Sequence, residues 1–155
     1  MSARTMINGL RIEKANLEDQ DMLIDLLLHQ FEEHAIEGSQ EGLAWAIAQV
    51  VRNENYGFFL LAKTADLALG VANVAFSWTL EHGGKSAWLD ELYVLPEHRG
   101  RGIGTALLKE AIAEARRSDC AAVDLEVDQN HRRAEDLYQR EGFEPLFRSR
   151  WVKKI

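Results

Sequence analysis

Apolar positions recur along this chain with two different periods, and the switches between them mark out its elements. Over residues 17–34, Leu23, Leu26, Leu27 and Phe31 return at three- and four-residue spacing, which predicts an amphipathic helix. Residues 40–53 repeat the pattern with Leu43, Ile47 and Val50 and predict a second helix. A short stretch at 10–15 reads as a first strand. "YGFFLLAK" and "LALGVANVAFSW" predict strands over 57–63 and 68–79, with a hairpin turn in "TADLA" between them. "GGKS" turns the chain again, and "AWLDELYVL" predicts a third long strand.

The helical period returns at 103–117. There Ile103, Leu107 and Ala111 stack on one face, with Leu108, Ile112 and Ala115 beside them. "AAVDLEV" alternates Val123, Leu125 and Val127 as a strand does. "HRRAEDLYQRE" is a short helix that Gly142 closes as a C-cap, and "FEPLFRSRWVKK" predicts a final strand or two. The order is β, α, α, β, β, β, α, β, α, β. It predicts an α/β (α+β) fold over residues 1–155 as a single domain, with a mixed sheet of about six to seven strands and about four helices.

Composition narrows the partners. A chain of 155 residues, 46% hydrophobic with two prolines, has the length and the apolar content for one sizeable core. Its net charge of -7 argues against nucleic acid and against anionic membranes as partners. The charge is uneven: residues 11–56 carry ten carboxylates against Arg11, Lys14 and Arg52. A solvated helix pair would explain that, and so would a field that attracts a cation. Cys120 is the lone cysteine, so no intrachain disulfide forms, which fits a reducing compartment. With no apolar stretch long enough to span a bilayer and no apolar signal core at the N-terminus, the cytoplasm is the expected location. His29 and His34 in "HQFEEH" are five apart, not the four that places two ligands on one helix face, so no metal is expected.

The candidate chemistry lies in "YVLPEHRGRGIGTALLKEA", residues 93–111. Gly100, Gly102 and Gly104 stand between a strand ending near Leu95 and a helix starting near Ile103, flanked by Arg99 and Arg101. Helix N-termini present unpaired N–H groups and a partial positive charge, and a glycine turn there lets an anion reach the backbone. A ligand with phosphates follows. A Walker loop needs Gly-Lys-Ser/Thr, which is absent. The dinucleotide fingerprint fails because Thr105 stands at its third glycine position. A plain turn with flexible glycines is the other reading.

"LDELYVLPEHRGRGIGTALL" resembles the central motif of the GCN5-related N-acetyltransferase (GNAT) superfamily, Arg/Gln-x-x-Gly-x-Gly/Ala. "AEDLYQREGF", residues 134–143, is similar to its second motif, and the element order agrees over nearly the whole chain. The resemblance implies a GNAT-like fold with acetyl-CoA as cosubstrate. It implies that the pyrophosphate lies on the amides of Arg99, Gly100, Arg101, Gly102, Ile103 and Gly104, with Thr105 beside them. It also implies that the pantetheine pairs with the strand at Leu92, Tyr93 and Val94. His131 stands where the family usually has an asparagine, and Asn130 is one residue earlier. The pantetheine contact passes to Asn130 through a shifted turn, or to His131. Members of the superfamily are often dimers, so a homodimer is an expected assembly.

Acetyl transfer to an amine needs a base, oxyanion donors and an acid for the departing thiolate. The resemblance assigns the acid to Tyr138 and an oxyanion donor to the Val94 N–H. For the base, Asp90 and Glu91 are adjacent on a strand, so one points to each face. That alternation places Trp88, Leu92 and Val94 with Asp90, and Leu89, Tyr93 and Leu95 with Glu91. Asp90 matches the acidic residue of polyamine and some aminoglycoside acetyltransferases and is the first candidate; Glu91 is the second. In the family the first helices wall the acceptor pocket, so the acidic stretch 11–56 implies a cationic acceptor. "AWLDELYV" is similar to the equivalent stretch of diamine (spermidine/spermine) acetyltransferases. The expected activity is direct transfer of acetyl to the primary amine of a small cationic molecule. The alternatives are protein N-termini or lysines as acceptors, and a non-catalytic acyl-CoA-binding regulatory domain.

Overall fold

Asn16 decides where the first helix begins. Its side chain accepts from the Glu18 N–H at 2.8 Å, while the Asp19 carboxylate accepts from the Asn16 N–H at 2.9 Å, a reciprocal capping box. A 3-10 turn, Leu17–Asp19, then opens into α1 (Gln20–Glu33). α2 (Gln40–Arg52) starts on Ser39, whose hydroxyl accepts from the Gly42 N–H at 2.9 Å. These elements belong to a computed structural model that describes residues 7–65 and 67–155. The N-terminus predicted to lack a signal core, and Asp66 of the predicted hairpin turn, lie outside the described residues.

Five strands form one sheet in sequence order: β1 (Arg11–Lys14), β2 (Gly57–Thr64), β3 (Leu67–Thr79), β4 (Gly84–Val94) and β5 (Ala122–Leu125). The first three pairings are antiparallel. β5 is parallel to β4 and is reached through α3 (Ile103–Arg117), the crossover that a parallel pair requires. α4 (Arg132–Arg140) follows β5.

β2 explains the layering. Phe58, Leu60 and Ala62 pack to one face among Leu107, Leu108 and Ala111 of α3. Phe59 and Leu61 pack to the other among Leu23, Leu26 and Leu27 of α1 and Ile47 of α2. A strand covered on both faces must be apolar at every position, which is why "GFFLLA" shows no alternation. Each leucine fully buried here is worth about 1.5–3 kcal/mol relative to exposure.

Two expectations change. Along β4, Asn73 of β3 pairs with Glu91 and Val74 pairs with Leu89, so Asp90 is the extra residue of a β-bulge. The bulge reverses the alternation. Ala87 and Leu89 before it share the α3 face with Leu92 and Val94 after it, while Tyr93 and Leu95 face α1. The predicted grouping of Leu89 with Tyr93, and of Trp88 with Leu92 and Val94, is therefore corrected.

The predicted strand in "FEPLFRSRWVKK" is also absent, and the sheet has five strands among the described residues rather than six to seven. Residues 143–155 leave Phe147 fully exposed and Trp151 90% exposed, so the apolar burial that would fix a strand is missing. Paired charges tether the segment instead: Arg148 to Glu81 at 3.1 Å and Arg150 to Glu126 at 2.5 Å.

Candidate active site

β4 and β5 run together only over Ser86–Leu89 against Ala122–Leu125. Beyond Leu89 the strands part, and β4 continues to Val94 paired with β3 alone. Its unpaired side faces a cleft of about 670 Å³. The Leu95 N–H donates to Leu69 O of β3 at 2.9 Å. N–H groups alternate sides along a strand, so those of Leu92 and Val94 point away from β3, into the gap. The bulge at Asp90 and the parting of the strands together make this opening.

The glycine turn closes one end. Gly100 and Gly102 have φ of +75° and +84°, a region that side chains other than glycine rarely adopt. Gly102 immediately precedes α3, so the free N–H groups of the first helical turn lie at the cleft. A Cβ on Gly102 would meet nothing within 4 Å, so the space above the turn is open. Gly104 lies inside the first turn, and its Cβ would touch Val94 at 3.9 Å and Leu137 at 4.0 Å. Gly100, Ile103 and Thr105 line the cleft too. Arg101 is exposed and stands outside the lining.

Arg99 lines the cleft, but its charge is committed. Its guanidinium donates to Glu33 Oε2 at 2.7 Å and, through Nε, to Val94 O at 2.9 Å. The Tyr93 hydroxyl donates to the same Glu33 oxygen at 2.7 Å. Bonds from Arg99 and then Tyr93 hold the Glu33 carboxyl at about 2, and burial together with Glu33 pushes the Tyr93 hydroxyl up to about 12. The triad pins the end of α1 to the glycine turn. Of the ten carboxylates in residues 11–56, Glu33 alone lines the cleft, and it is already neutralised. The expectation that this stretch supplies an acidic wall is corrected. The cleft's other carboxylates are Asp90, Glu91, Glu126 and Asp128, from β4 and the segment after β5.

The two adjacent carboxylates differ sharply. Asp90, in the bulge, is exposed and accepts from its neighbour's indole, Trp88 Nε1, at 3.0 Å. Glu91 is half-buried in the cleft and accepts from Gln30 Nε2 at 2.6 Å. Burial, followed by the charge of Asp90, pushes the Glu91 carboxyl up to about 7. Tyr138 of α4 lines the same cleft, edge-on to Phe143 with ring centres 5.8 Å apart. Burial raises its hydroxyl further, with Glu91 adding to it. His131 caps α4, its Nδ1 accepting from the Ala134 N–H at 3.2 Å, and it lines the cleft. Asn130 turns the chain with φ +71° and stands outside the lining.

The sequence reading missed Gln30, Glu33 and Glu126. Gln30 had a signal: it stands four residues after Leu26 and seven after Leu23, on the apolar stripe of α1, where a polar residue is out of place. Glu33 and Glu126 lie among other acidic residues with nothing to single them out. Among the described residues, no helix is long and apolar enough to cross a membrane, and no three His, Cys, Asp or Glu side chains are grouped so as to hold a metal ion.

Residues 21–143 match the family model of the acetyltransferase (GNAT) family. A mycothiol acetyltransferase from Thermobispora bispora is 30% identical over 149 residues, covering 88% of this chain and 45% of its own length. A thialysine N-epsilon-acetyltransferase from Bos taurus is 36% identical over 63 residues, 41% of this chain and 37% of its own length. This chain thus spans less than half the length of these two curated relatives. Among solved structures, a predicted acetyltransferase with acetyl-CoA from Clostridium acetobutylicum superposes with a TM-score of 0.79 at 20% identity, covering 93% of this chain and 96% of that one.

Proposed function

This chain belongs to the acetyltransferase (GNAT) family, and from that premise we propose that it transfers acetyl from acetyl-CoA directly to the primary amine of a small cationic molecule. One observation carries the reading: the unpaired edge of β4 at Leu92–Val94 opens into the same cleft as the glycine turn, Glu91 and Tyr138. The N–H groups at the start of α3, above which a Gly102 Cβ would find open space, suit a pyrophosphate. The outward N–H groups of Leu92 and Val94 suit the amides of a pantetheine and the oxygen of a thioester carbonyl.

Glu91 is the base in this reading, in preference to Asp90. Both line the cleft, but Glu91 is half-buried where Asp90 is exposed, and its raised value places it near neutral pH, where a base is most effective. A primary ammonium, with a pKa of roughly 10, gives a proton to Glu91. Its nitrogen attacks the thioester carbonyl, and the oxyanion is held by the Val94 N–H. The carbon–sulfur bond breaks, and Tyr138 donates its proton to the leaving thiolate. The extra proton on the new amide nitrogen returns to Tyr138, and Glu91 passes its proton to water. The products are the acetylated amine and free CoA.

The cationic acceptor rests on Asp90, Glu91, Glu126 and Asp128 at the cleft. The curated thialysine relative, named for transfer to a side-chain amine, points the same way. The test is release of CoA thiol from acetyl-CoA against spermidine, putrescine, an aminoglycoside, free lysine and an N-terminal peptide. Saturable release with a small cationic amine is the expected result. Release only with the peptide would reassign the acceptor to protein N-termini. Acetyl-CoA binding with no release from any acceptor would favour a domain that binds acyl-CoA without turning it over.

A further inference from the structure

Gln30 is buried, 8% exposed, on the stripe of α1 that otherwise carries Leu23, Leu26 and Leu27. A buried amide at a core position is costly unless every polar atom is satisfied. Only half of this one is: Nε2 donates to Glu91, and among the described residues Oε1 has no partner. A leucine or methionine would serve the core better, so packing does not account for the residue.

The bond itself is short. At 2.6 Å the Gln30 amide is in direct hydrogen-bond contact with the Glu91 carboxyl. Because Oε1 is committed to nothing else, the amide can turn end for end without giving up another bond. With Nε2 towards Glu91 it donates to the carboxylate. With Oε1 towards Glu91 it accepts from the acid.

We propose that Gln30 is a positioning residue for the proton transfer, holding Glu91 in one place in both its charged and its neutral form by turning its amide. The inference rests on the reading of Glu91 as the base. During the step an N–H bond of the substrate ammonium breaks, its electron pair stays on nitrogen, and an O–H bond forms on Glu91. The carboxyl group changes from acceptor to donor at that moment, and only a partner with both functions keeps it fixed throughout. A hydroxyl or an amide has both; a lysine, an arginine or a second carboxylate does not. The groups that face Glu91 are Asp90 beside it on β4, Glu126 after β5, Tyr138 on α4, and Gln30 from α1.

The test is Gln30→Met, which keeps the length and removes both hydrogen-bonding atoms. Glu91 is titrated by NMR in protein carrying carbon-13 at the glutamate carboxyls, its signal assigned with Glu91→Gln. The amide bonds both forms, the charged one more strongly, so its removal is expected to move the Glu91 midpoint upward by about one pH unit. The acidic limb of kcat/KM is expected to move with it, about tenfold in rate on that side, with acetyl-CoA affinity unchanged. A merely structural glutamine predicts a less stable Met variant at every pH; here the denaturation midpoint is expected to hold or rise at pH 4, where Glu91 is protonated in both the folded and the unfolded chain. An unmoved or lowered Glu91 midpoint overturns the proposal, and so does a Gln30 side-chain amide whose NMR signals show the same orientation above and below that midpoint. Should Gln30→Met fail to fold, Gln30→Asn, whose shorter amide falls short of Glu91, is read in the same way. If the midpoint rises but no amine in the panel is acetylated, the coupling of Gln30 to Glu91 stands and the acetyl-transfer reading falls.

Discussion

Glu91 carries a cost that depends on pH, and the direction is fixed by its raised value. In the unfolded chain its carboxyl ionises near 4.5; in the fold it does so at about 7. The folded state therefore holds the proton more tightly, and its advantage is full below 4.5 and lost as pH rises to 7. Glu91→Gln removes the ionisation. Its stability should match the wild type at pH 4 and exceed it by about 1–2 kcal/mol at pH 8, after allowance for partial exposure, measured by urea denaturation. The same variant should lose most of its turnover. Tyr138→Phe tests the other end of the proton path. A fall in kcat with unchanged acetyl-CoA affinity is expected, and an unchanged kcat would return Tyr138 to simple packing against Phe143. Glu91 and Tyr138 were both legible in the sequence. What was not legible is that Asp90 stands exposed and Glu91 half-buried. That difference depends on a bulge, and a bulge is a fact about two strands, invisible in the spelling of one.

At the level of elements, the glycine turn and the start of α3 show how one residue type serves two purposes. Gly102, at φ +84°, is required by its backbone; Gly104, at the first turn of the helix, is not. Gly102→Ala should lower stability by about 1 kcal/mol through backbone strain. Gly104→Ala should raise it by roughly 0.5–1 kcal/mol, because its Cβ meets only ordinary contacts at Val94 and Leu137 and helix propensity improves. Opposite shifts in urea midpoint from two alanines two residues apart would confirm the division. The first three helices could be read from periodicity because each buries a regular stripe, and β2 from its unbroken apolar run because it is covered on both faces. The C-terminal segment could not. "FEPLFRSRWVKK" has the composition of a strand, but beyond Phe143 it is held to the body by the side chains of Arg148 and Arg150, on Glu81, Glu126 and the Trp88 ring, which fix no register.

Over the whole molecule, net charge was a poor guide to the site. The acidic excess of residues 11–56 is real, yet all but one of those carboxylates lie away from the cleft, and the exception is bound to Arg99. Charge counted along a chain says little about charge gathered in space. The parted strands act at this scale too. Acetyl-CoA bound there should raise stability by RT ln(1 + [L]/Kd), about 2.7 kcal/mol at one hundred times Kd. For a chain of this length that is roughly 5–10 °C in Tm, readable by thermal melting with and without CoA. A missing shift would separate the cleft from the ligand proposed for it.

The gap beside Leu92–Val94 leaves β4 with an open edge where β5, the last strand of the sheet, parts from it. A substrate that supplies amides to that edge serves for a moment as a piece of the architecture. Proteases act on molecules that have opened. A chain that is sturdier when charged with its substrate would survive longest where acetyl-CoA is plentiful and be cleared soonest where it runs short.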